Sequence, residues 1–250
     1  MRIAPWAVVG WLVVASLSSG CFSFSTMQTA RTVPRNQTRF GAGLSALGVA
    51  VGSSSGASTG VAVIPSPEFM IRYGISDDVD IGLKLYVPGL ELGLKWQFLR
   101  GSFDAAIAPA IGGSGFAIGS SSGGSDGFGL LQFHLPLLFG ANLSDNVALT
   151  FGPKLLLNVG FGSISSGSGA MYSGAAGGIW AGLFVGLPIR IGREFWIAPE
   201  VNVYSDIAYT DGPARSFEVF TFQTGLGFFF GGGEPEAAPP PQQYAPGYGP

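Results

Sequence analysis

Between Ser66 and Phe98, apolar and polar residues alternate with a period of two, and this stretch limits most strongly what the chain can fold into. Such alternation is typical of β-strands with two different faces. One face is apolar, and the other face mixes charged residues with glycine. A transmembrane barrel presents its apolar face to lipid, whereas a soluble sandwich buries it. The mixed polar face favours the transmembrane barrel. The apolar face carries Phe69, Ile71, Tyr73, Ile75, Val79, Ile81, Leu83, Leu85, Leu90, Leu92, Leu94, Trp96 and Phe98.

The composition excludes several other classes of protein. Only 11% of the 250 residues are charged, against about 25% in a typical soluble domain, and the 47% hydrophobic content is too high for a disordered chain. A net charge of −3 provides no basic surface for nucleic acid. With one cysteine and one histidine, the chain has no intramolecular disulfide, and we expect no metal site and no cofactor.

The N-terminus has the pattern of an export signal over residues 1–20. Arg2 precedes an apolar run that has the length of a signal-peptide core and is too short to span a bilayer. The run ends in Leu17-Ser18-Ser19-Gly20-Cys21, which resembles the lipobox of bacterial lipoproteins, although leucine lies one position further from the cysteine than in that family. The resemblance implies that Cys21 is acylated, with palmitate among its acyl groups. The alternative is an ordinary cleaved signal peptide with an incidental thiol.

Two segments flank the predicted barrel. Residues 21–37 show neither a helical nor a strand period and contain Pro34, so we predict a lipid-anchored flexible tether. Residues 231–250 are rich in Pro, Gly and Gln, which predicts a disordered periplasmic tail. A passive tail is the favoured interpretation, and docking to peptidoglycan or another envelope protein is the alternative.

Residues 38–230 divide into about ten strands, with eight or twelve as alternatives. Most connections alternate between short turns and long Gly/Ser-rich loops such as 112–126 and 162–175, which predicts a closed antiparallel up-and-down transmembrane β-barrel with both termini in the periplasm. Closure also removes exposed strand edges. The predicted strands are 38–51, a second ending at 75, 79–86, 90–98, 103–111, 127–141, 147–161, 176–191, 195–205 and 216–230.

The last strand ends in Leu226-Gly227-Phe228-Phe229-Phe230, which resembles the closing signal of outer-membrane barrels. Together with the strand pattern, it makes the chain similar to small bacterial outer-membrane β-barrel proteins. The resemblance implies a location in the bacterial outer membrane, outer-membrane lipid as the surroundings, and the barrel assembly machinery as a partner during biogenesis.

The inward face of the second to fourth strands is expected to form a charge network. A three-residue turn at 75–77 and a turn centred on Val87-Pro88 would align two tiers in which the signs alternate. Paired charge is far less costly to bury than unpaired charge, so we interpret the network as a plug. The alternative is a proton or ion path. The tiers are Glu68–Lys84–Glu91 toward the outside and Arg72–Asp80–Lys95 toward the periplasm.

Further polar residues are predicted in the lumen: Asp104, His134, Lys154 and Glu200. A symmetric turn over 142–146 places His134 opposite Lys154. Catalysis would need a nucleophile and a third group converging on the histidine, and outer-membrane proteases and lipid-modifying enzymes carry such groups at the outer rim. Because His134 lies mid-strand, we predict no catalytic residue.

These features favour a lipid-anchored outer-membrane barrel that is a structural or interaction component of the cell envelope and not an enzyme. Two alternatives keep the barrel in the membrane: a small-solute or ion channel, and an enzyme acting on lipid or peptide. A third keeps the barrel soluble and lipid-anchored, with a ligand inside.

Overall fold

The computed structural model describes residue 23 and residues 25–51, 62–119, 125–165, 171–209 and 219–232. Cys21, the signal peptide predicted at 1–20 and the tail predicted from residue 231 lie outside the described residues, except for Gly231 and Gly232. The strands are β1 (Thr38–Val51), β2 (Ala62–Gly74), β3 (Val79–Tyr86), β4 (Gly89–Leu99), β5 (Phe103–Ile107), β6 (Ala110–Gly119), β7 (Ser125–Ser144), β8 (Val147–Ser165), β9 (Met171–Gly186), β10 (Ile189–Ile191), β11 (Phe195–Tyr209) and β12 (Val219–Gly231).

The strands form one antiparallel sheet that closes on itself. Each strand pairs with its neighbours along the chain, and β1 also pairs with β12. β5 and β6 share the neighbours β4 and β7, and β9 and β10 share β8 and β11, so each pair forms one interrupted wall strand. The predicted fold class is confirmed: a closed antiparallel up-and-down barrel with ten wall strands.

Both interruptions of the wall occur at proline. Pro109 separates β5 from β6, and Pro188 separates β9 from β10. Proline has no N–H to donate to the ladder, but its carbonyl still accepts. The carbonyl of Pro109 accepts from Leu94 N at 2.9 Å, and that of Pro188 from Ala148 N at 3.0 Å. The ladder therefore continues past each break.

Four short connections, called the short connections below, lie at one end of the barrel, together with Thr38 and Gly231, whereas the two-residue turn 87–88 between β3 and β4 lies at the other end. They comprise residues 75–78, 100–102, 145–146 and 192–194. At the other end, the predicted loops 112–126 and 162–175 are shorter than expected, because β6 continues to Gly119 and β8 to Ser165. Backbone hydrogen bonds need no side chain, so Gly- and Ser-rich sequence can extend the ladder once the sheet is closed.

The burial pattern is the reverse of that of a soluble protein. Large apolar side chains point outward on every wall strand, with Leu92 54% and Phe133 41% exposed, and Leu83 half-buried. Polar and charged side chains point into the lumen, where many are almost fully buried. Among the described residues, no helix is long and apolar enough to cross a membrane.

The structure differs from the flexible tether predicted for residues 21–37. The described part of this stretch lies inside the barrel, with Ser23, Ser25 and Val33 buried. Its sequence has no period because its conformation is imposed by the surrounding wall and not by packing of its own.

Candidate functional site in the barrel lumen

Every charged or polar residue that the sequence predicted for the lumen lies on a wall strand and is buried. β3 and β4 pair in the predicted register, so that Lys84 lies opposite Glu91 and Asp80 opposite Lys95. The buried set is Glu68, Arg72, Asp80, Lys84, Glu91, Lys95, Asp104, His134, Lys154 and Glu200.

β2 and β3 pair two residues away from the predicted register. Lys84 lies opposite Met70 instead of Glu68. The last pair is Gly74 with Asp80, so five residues, 75–79, lie between the paired positions instead of the three assumed from the sequence. A shift by an even number leaves each side chain on its own face, so the charges remain in the lumen with new partners.

Asp80 is the centre of the tier nearer the short connections. Arg72, predicted opposite Asp80, lies opposite Gly82, but its guanidinium reaches diagonally and Nε donates to Asp80 Oδ1 at 2.7 Å. Lys95 Nζ lies 3.2 Å from Asp80 Oδ2, and Val33 N donates to the same oxygen at 2.9 Å. Two cations and one amide thus share one fully buried carboxylate.

Glu91 is the centre of the second tier. Its Oε2 lies 3.3 Å from Lys84 Nζ and 3.1 Å from His134 Nδ1. Glu68, predicted to pair with Lys84, instead accepts hydrogen bonds from the hydroxyls of Ser25 and Ser45. The predicted alternation of three charges is therefore replaced by a lysine and a histidine on one glutamate, and two serines on the other.

His134 does not lie opposite Lys154 as predicted. Its partner across β7 and β8 is Leu156. The turn is only residues 145–146, with a register shift between Asn142 and Ser144. This asymmetry displaces the two strands by two residues relative to a symmetric loop.

Asp104 lies near the mouth with the short connections. Its Oδ2 accepts from Arg31 Nε at 2.7 Å, and its Oδ1 from Gly101 N at 3.1 Å and Gln97 Nε2 at 3.3 Å. Arg31 belongs to the chain segment inside the lumen, so this contact joins the segment to the wall.

Residues 25–37 are here called the lumen segment: residues 25–33 run inside the barrel, and Arg35 and Asn36 are exposed at its mouth. The segment starts next to Thr38 at the mouth with the short connections, where Gly74 N donates to the Gln37 carbonyl at 3.0 Å. It reaches Glu68 through Ser25, six residues along β2 from Gly74, which is about 20 Å at 3.3 Å per residue. Followed toward its N-terminus, the chain therefore moves away from the short connections.

The wall recognises the backbone of the lumen segment through charged and amide side chains. Carboxylate and amide oxygens accept its N–H groups: Thr26 N to Glu200 Oε1 at 2.6 Å, Met27 N to Glu200 Oε2 at 2.7 Å, Thr32 N to Gln97 Oε1 at 3.0 Å, and Val33 N to Asp80 Oδ2 at 2.9 Å. Lysines donate to its carbonyls: Lys84 Nζ to Ser25 O at 2.9 Å, and Lys95 Nζ to Thr29 O at 3.2 Å and Arg31 O at 2.7 Å.

Met27 anchors the segment by its side chain. The thioether is buried over three glycines of β1 and β12, where a Cβ would lie 2.5 Å from Met27 Sδ at Gly43, 2.8 Å from Met27 Cε at Gly225, and 3.4 Å from Met27 Sδ at Gly227. Any larger residue would occupy this glycine socket. The backbone of Met27 has φ 40°, a left-handed conformation that a residue with a side chain rarely adopts.

A cavity of about 290 Å³ lies beside the lumen segment at the mouth with the short connections. It is bounded by Thr29–Thr32 of the segment and by Asp104, Thr150 and Trp196 of the wall. The segment therefore does not fill this mouth.

Sequence reasoning missed the lumen segment as part of the site. One sequence feature could have indicated the segment: small hydroxyl residues, which suit a narrow polar space, recur in and next to it. They are Ser23, Ser25, Thr26, Thr29 and Thr32. The uncharged residues Gln97 and Gln223 were also not singled out, although both are buried. They lie on inward positions, and only the folded barrel shows that amides carry part of the recognition.

The lumen places His134 beside one carboxylate. His134 Nδ1 is directed at Glu91, and no group within the described part of the chain accepts from or donates to its Nε2. The same residues contain no cluster of three or more His, Cys, Asp or Glu that could hold a metal ion. What the geometry does provide is a set of donors and acceptors aligned with a polypeptide backbone.

No protein-family model and no curated protein matches the chain. Several solved structures are similar to it. The outer membrane protease OmpT from Escherichia coli has 9% identity and a TM-score of 0.46, covering 83% of this chain and 100% of that one. The attachment invasion locus protein Ail of Yersinia pestis has 12% identity and a TM-score of 0.36, covering 79% and 99%. The outer membrane protein OprG from Pseudomonas aeruginosa has 8% identity and a TM-score of 0.36, covering 82% and 99%. These likenesses concern the fold alone, and the barrel stands on its own strand pairing.

Proposed function

We propose that the protein is an integral β-barrel of the bacterial outer membrane, with an occupied lumen, that serves as a structural or interaction component of the cell envelope. One observation carries the proposal: a belt of exposed apolar side chains surrounds the whole barrel. Its members include Phe40, Leu44, Phe69, Ile81, Leu92, Ile111, Phe133, Leu155, Leu183, Val201 and Leu226.

The shape of the belt points to lipid and not to a protein partner. Soluble monomers rarely expose continuous apolar patches larger than a few hundred Å², and a partner would cover one side only. A closed barrel has all its backbone groups paired between strands, which is what hydrocarbon surroundings require.

Aromatic side chains mark one rim of the belt. Tyr73, Trp96, Phe98, Phe103 and Phe230 are exposed near the short connections. Aromatic girdles are typical of both interfaces of outer-membrane barrels, which also place short turns in the periplasm. The proposal therefore orients this rim, with Thr38 and Gly231, toward the periplasm.

Gel mobility and extraction test the proposal together. We expect the unboiled protein to migrate faster than the boiled protein in SDS, and release from membranes to require detergent. A soluble barrel tethered by lipid would be released by lipase treatment alone, and that outcome would overturn the proposal.

The lipid anchor belongs to the same proposal. Acylation of Cys21 would be seen as incorporation of labelled palmitate that Cys21→Ser abolishes. The barrel assembly machinery is the proposed partner in biogenesis, and the tail after Gly232 could contact peptidoglycan or another envelope protein. Loss of pull-down by peptidoglycan on deletion of residues 233–250 would support that contact.

An enzyme is the weaker candidate. A hydrolytic or acyl-transfer activity that survives His134→Ala would exclude this residue, the single histidine of the chain, as its base.

A channel is favoured by a specific observation, namely that the lumen is closed by a segment and not by the wall alone.

A further inference from the structure

We infer that the lumen is a binding site for a polypeptide segment, that the lumen segment is its intramolecular ligand, and that displacing the segment opens a pore for ions and small hydrophilic solutes. This inference rests on the proposed membrane barrel and adds a ligand class and an activity to it.

The first support is how the segment is held. Between Ser25 and Val33, the wall contacts given above are made by side chains, whereas backbone bonding to the wall begins at Asn36, whose N donates to the Gly74 carbonyl at 2.9 Å. Side-chain hydrogen bonds to water can replace those to the segment at a small net change in free energy. The segment is therefore bound as a ligand, with a backbone attachment at the periplasmic mouth.

The second support is the size of the lumen. In a barrel of about eight strands, side chains alone fill the interior, and the diameter grows with strand number. Here ten wall strands enclose an additional chain segment, and glycines line its path at Gly43, Gly225 and Gly227. Withdrawing the segment frees the space between the mouth with the short connections and the level of Glu68, and the charged and amide side chains that held the segment then face water.

The third support is selective recognition at one position. The glycine socket accepts the unbranched side chain of Met27 and the pair of Glu200 oxygens accepts two successive amides, Thr26 N and Met27 N. The left-handed backbone at Met27 is relieved when the segment leaves. The site therefore recognises a local bend of the backbone, with two adjacent amides on one carboxylate, together with one flexible apolar side chain.

Single-channel recording of the full-length protein in planar bilayers tests the inference. Protein produced without acylation of Cys21 is expected to be closed for most of the time, and all variants are compared in this form. Met27→Asp places a carboxylate in the glycine socket beside Glu200, and we expect at least a tenfold higher open probability. Ser102→Asp introduces the same residue at an exposed position of the turn between β4 and β5 and serves as the matched control, with the open probability of the unsubstituted chain.

A synthetic peptide of residues 23–36, added to open Met27→Asp channels, provides a second measurement. We expect it to block them, and we expect the same peptide with N-methylated Thr26 and Met27 amides to block at least tenfold less well. Equal block by both peptides would overturn backbone recognition by Glu200.

Gel mobility separates failure of this inference from failure of the proposed function. A Met27→Asp protein that shows the heat-dependent shift but stays closed overturns the inference and leaves the membrane barrel intact. If Met27→Asp does not fold, Gly225→Val fills the socket from the wall side, and a folded, closed Gly225→Val protein has the same meaning. Absence of the shift in the wild type rejects the barrel proposal itself.

Discussion

Asp80 binds two cations and one backbone amide, and so couples the wall to the lumen segment. Its oxygens contact Arg72, Lys95 and Val33. A carboxylate in this position offsets the cost of burying both cations. The sequence predicted the two cations only as cross-strand partners of Asp80.

Asp80→Ala should lower the free energy of unfolding by about 3–5 kcal/mol, because it leaves Arg72 and Lys95 buried without their counter-ion. Urea titration of folding in lipid vesicles measures the change. Asp78→Ala is the control: Asp78 is exposed and 3.6 Å from Arg100, so its loss should change stability by less than about 1 kcal/mol. Equal effects of the two variants would contradict the central role of Asp80.

The strand β4 shows how one strand has an apolar outer face and a charged lumen face. Along β4, Leu92 and Leu94 are exposed on the outside while Glu91 and Lys95 are buried in the lumen. The period of two makes this division independent of register shifts by even numbers, which is why the shift between β2 and β3 changes partners without exposing a charge to the apolar side.

Leu94→Arg should destabilise the barrel by about 2–4 kcal/mol, the range for arginine on the lipid face near the bilayer midplane, because Leu94 is the central residue of β4. Leu143→Arg, at an exposed position beside the 145–146 turn, should cost about 0–1 kcal/mol. The comparison uses the same vesicle titration. Equal costs at the two depths would mean that water, and not hydrocarbon, surrounds β4.

The whole molecule has two unlike ends, and surface labelling reads their orientation. A cysteine at Ser122, between β6 and β7, should react with a membrane-impermeant maleimide on intact cells, whereas one at Ser102, between β4 and β5, should react only after the outer membrane is permeabilised. The parent chain controls for Cys21. The opposite pattern would reverse the proposed topology.

The proposed lipid anchor and the seated lumen segment make competing demands on the chain. Ser23 is fully buried in the lumen, and two further residues span at most about 7 Å, too little to return from the level of Glu68 to the periplasmic leaflet. We therefore expect palmitate-labelled protein to conduct and Cys21→Ser protein to be closed in the same bilayer recording. Identical conductance of the two forms would mean that acylation of Cys21 does not change whether the segment occupies the lumen.

The sequence by itself determined the faces of the strands and the barrel topology, and it predicted about ten strands with eight or twelve as alternatives, because alternation and turn lengths act locally. It also predicted the register of β3 and β4, which a short turn between Tyr86 and Gly89 sets. Only the tertiary structure decided the register across the 75–78 and 145–146 turns, and only it placed the lumen segment. That segment has no periodic signal of its own, since its backbone is held by Glu200, Gln97, Asp80, Lys84 and Lys95, side chains that closure of the barrel brings together from distant parts of the chain.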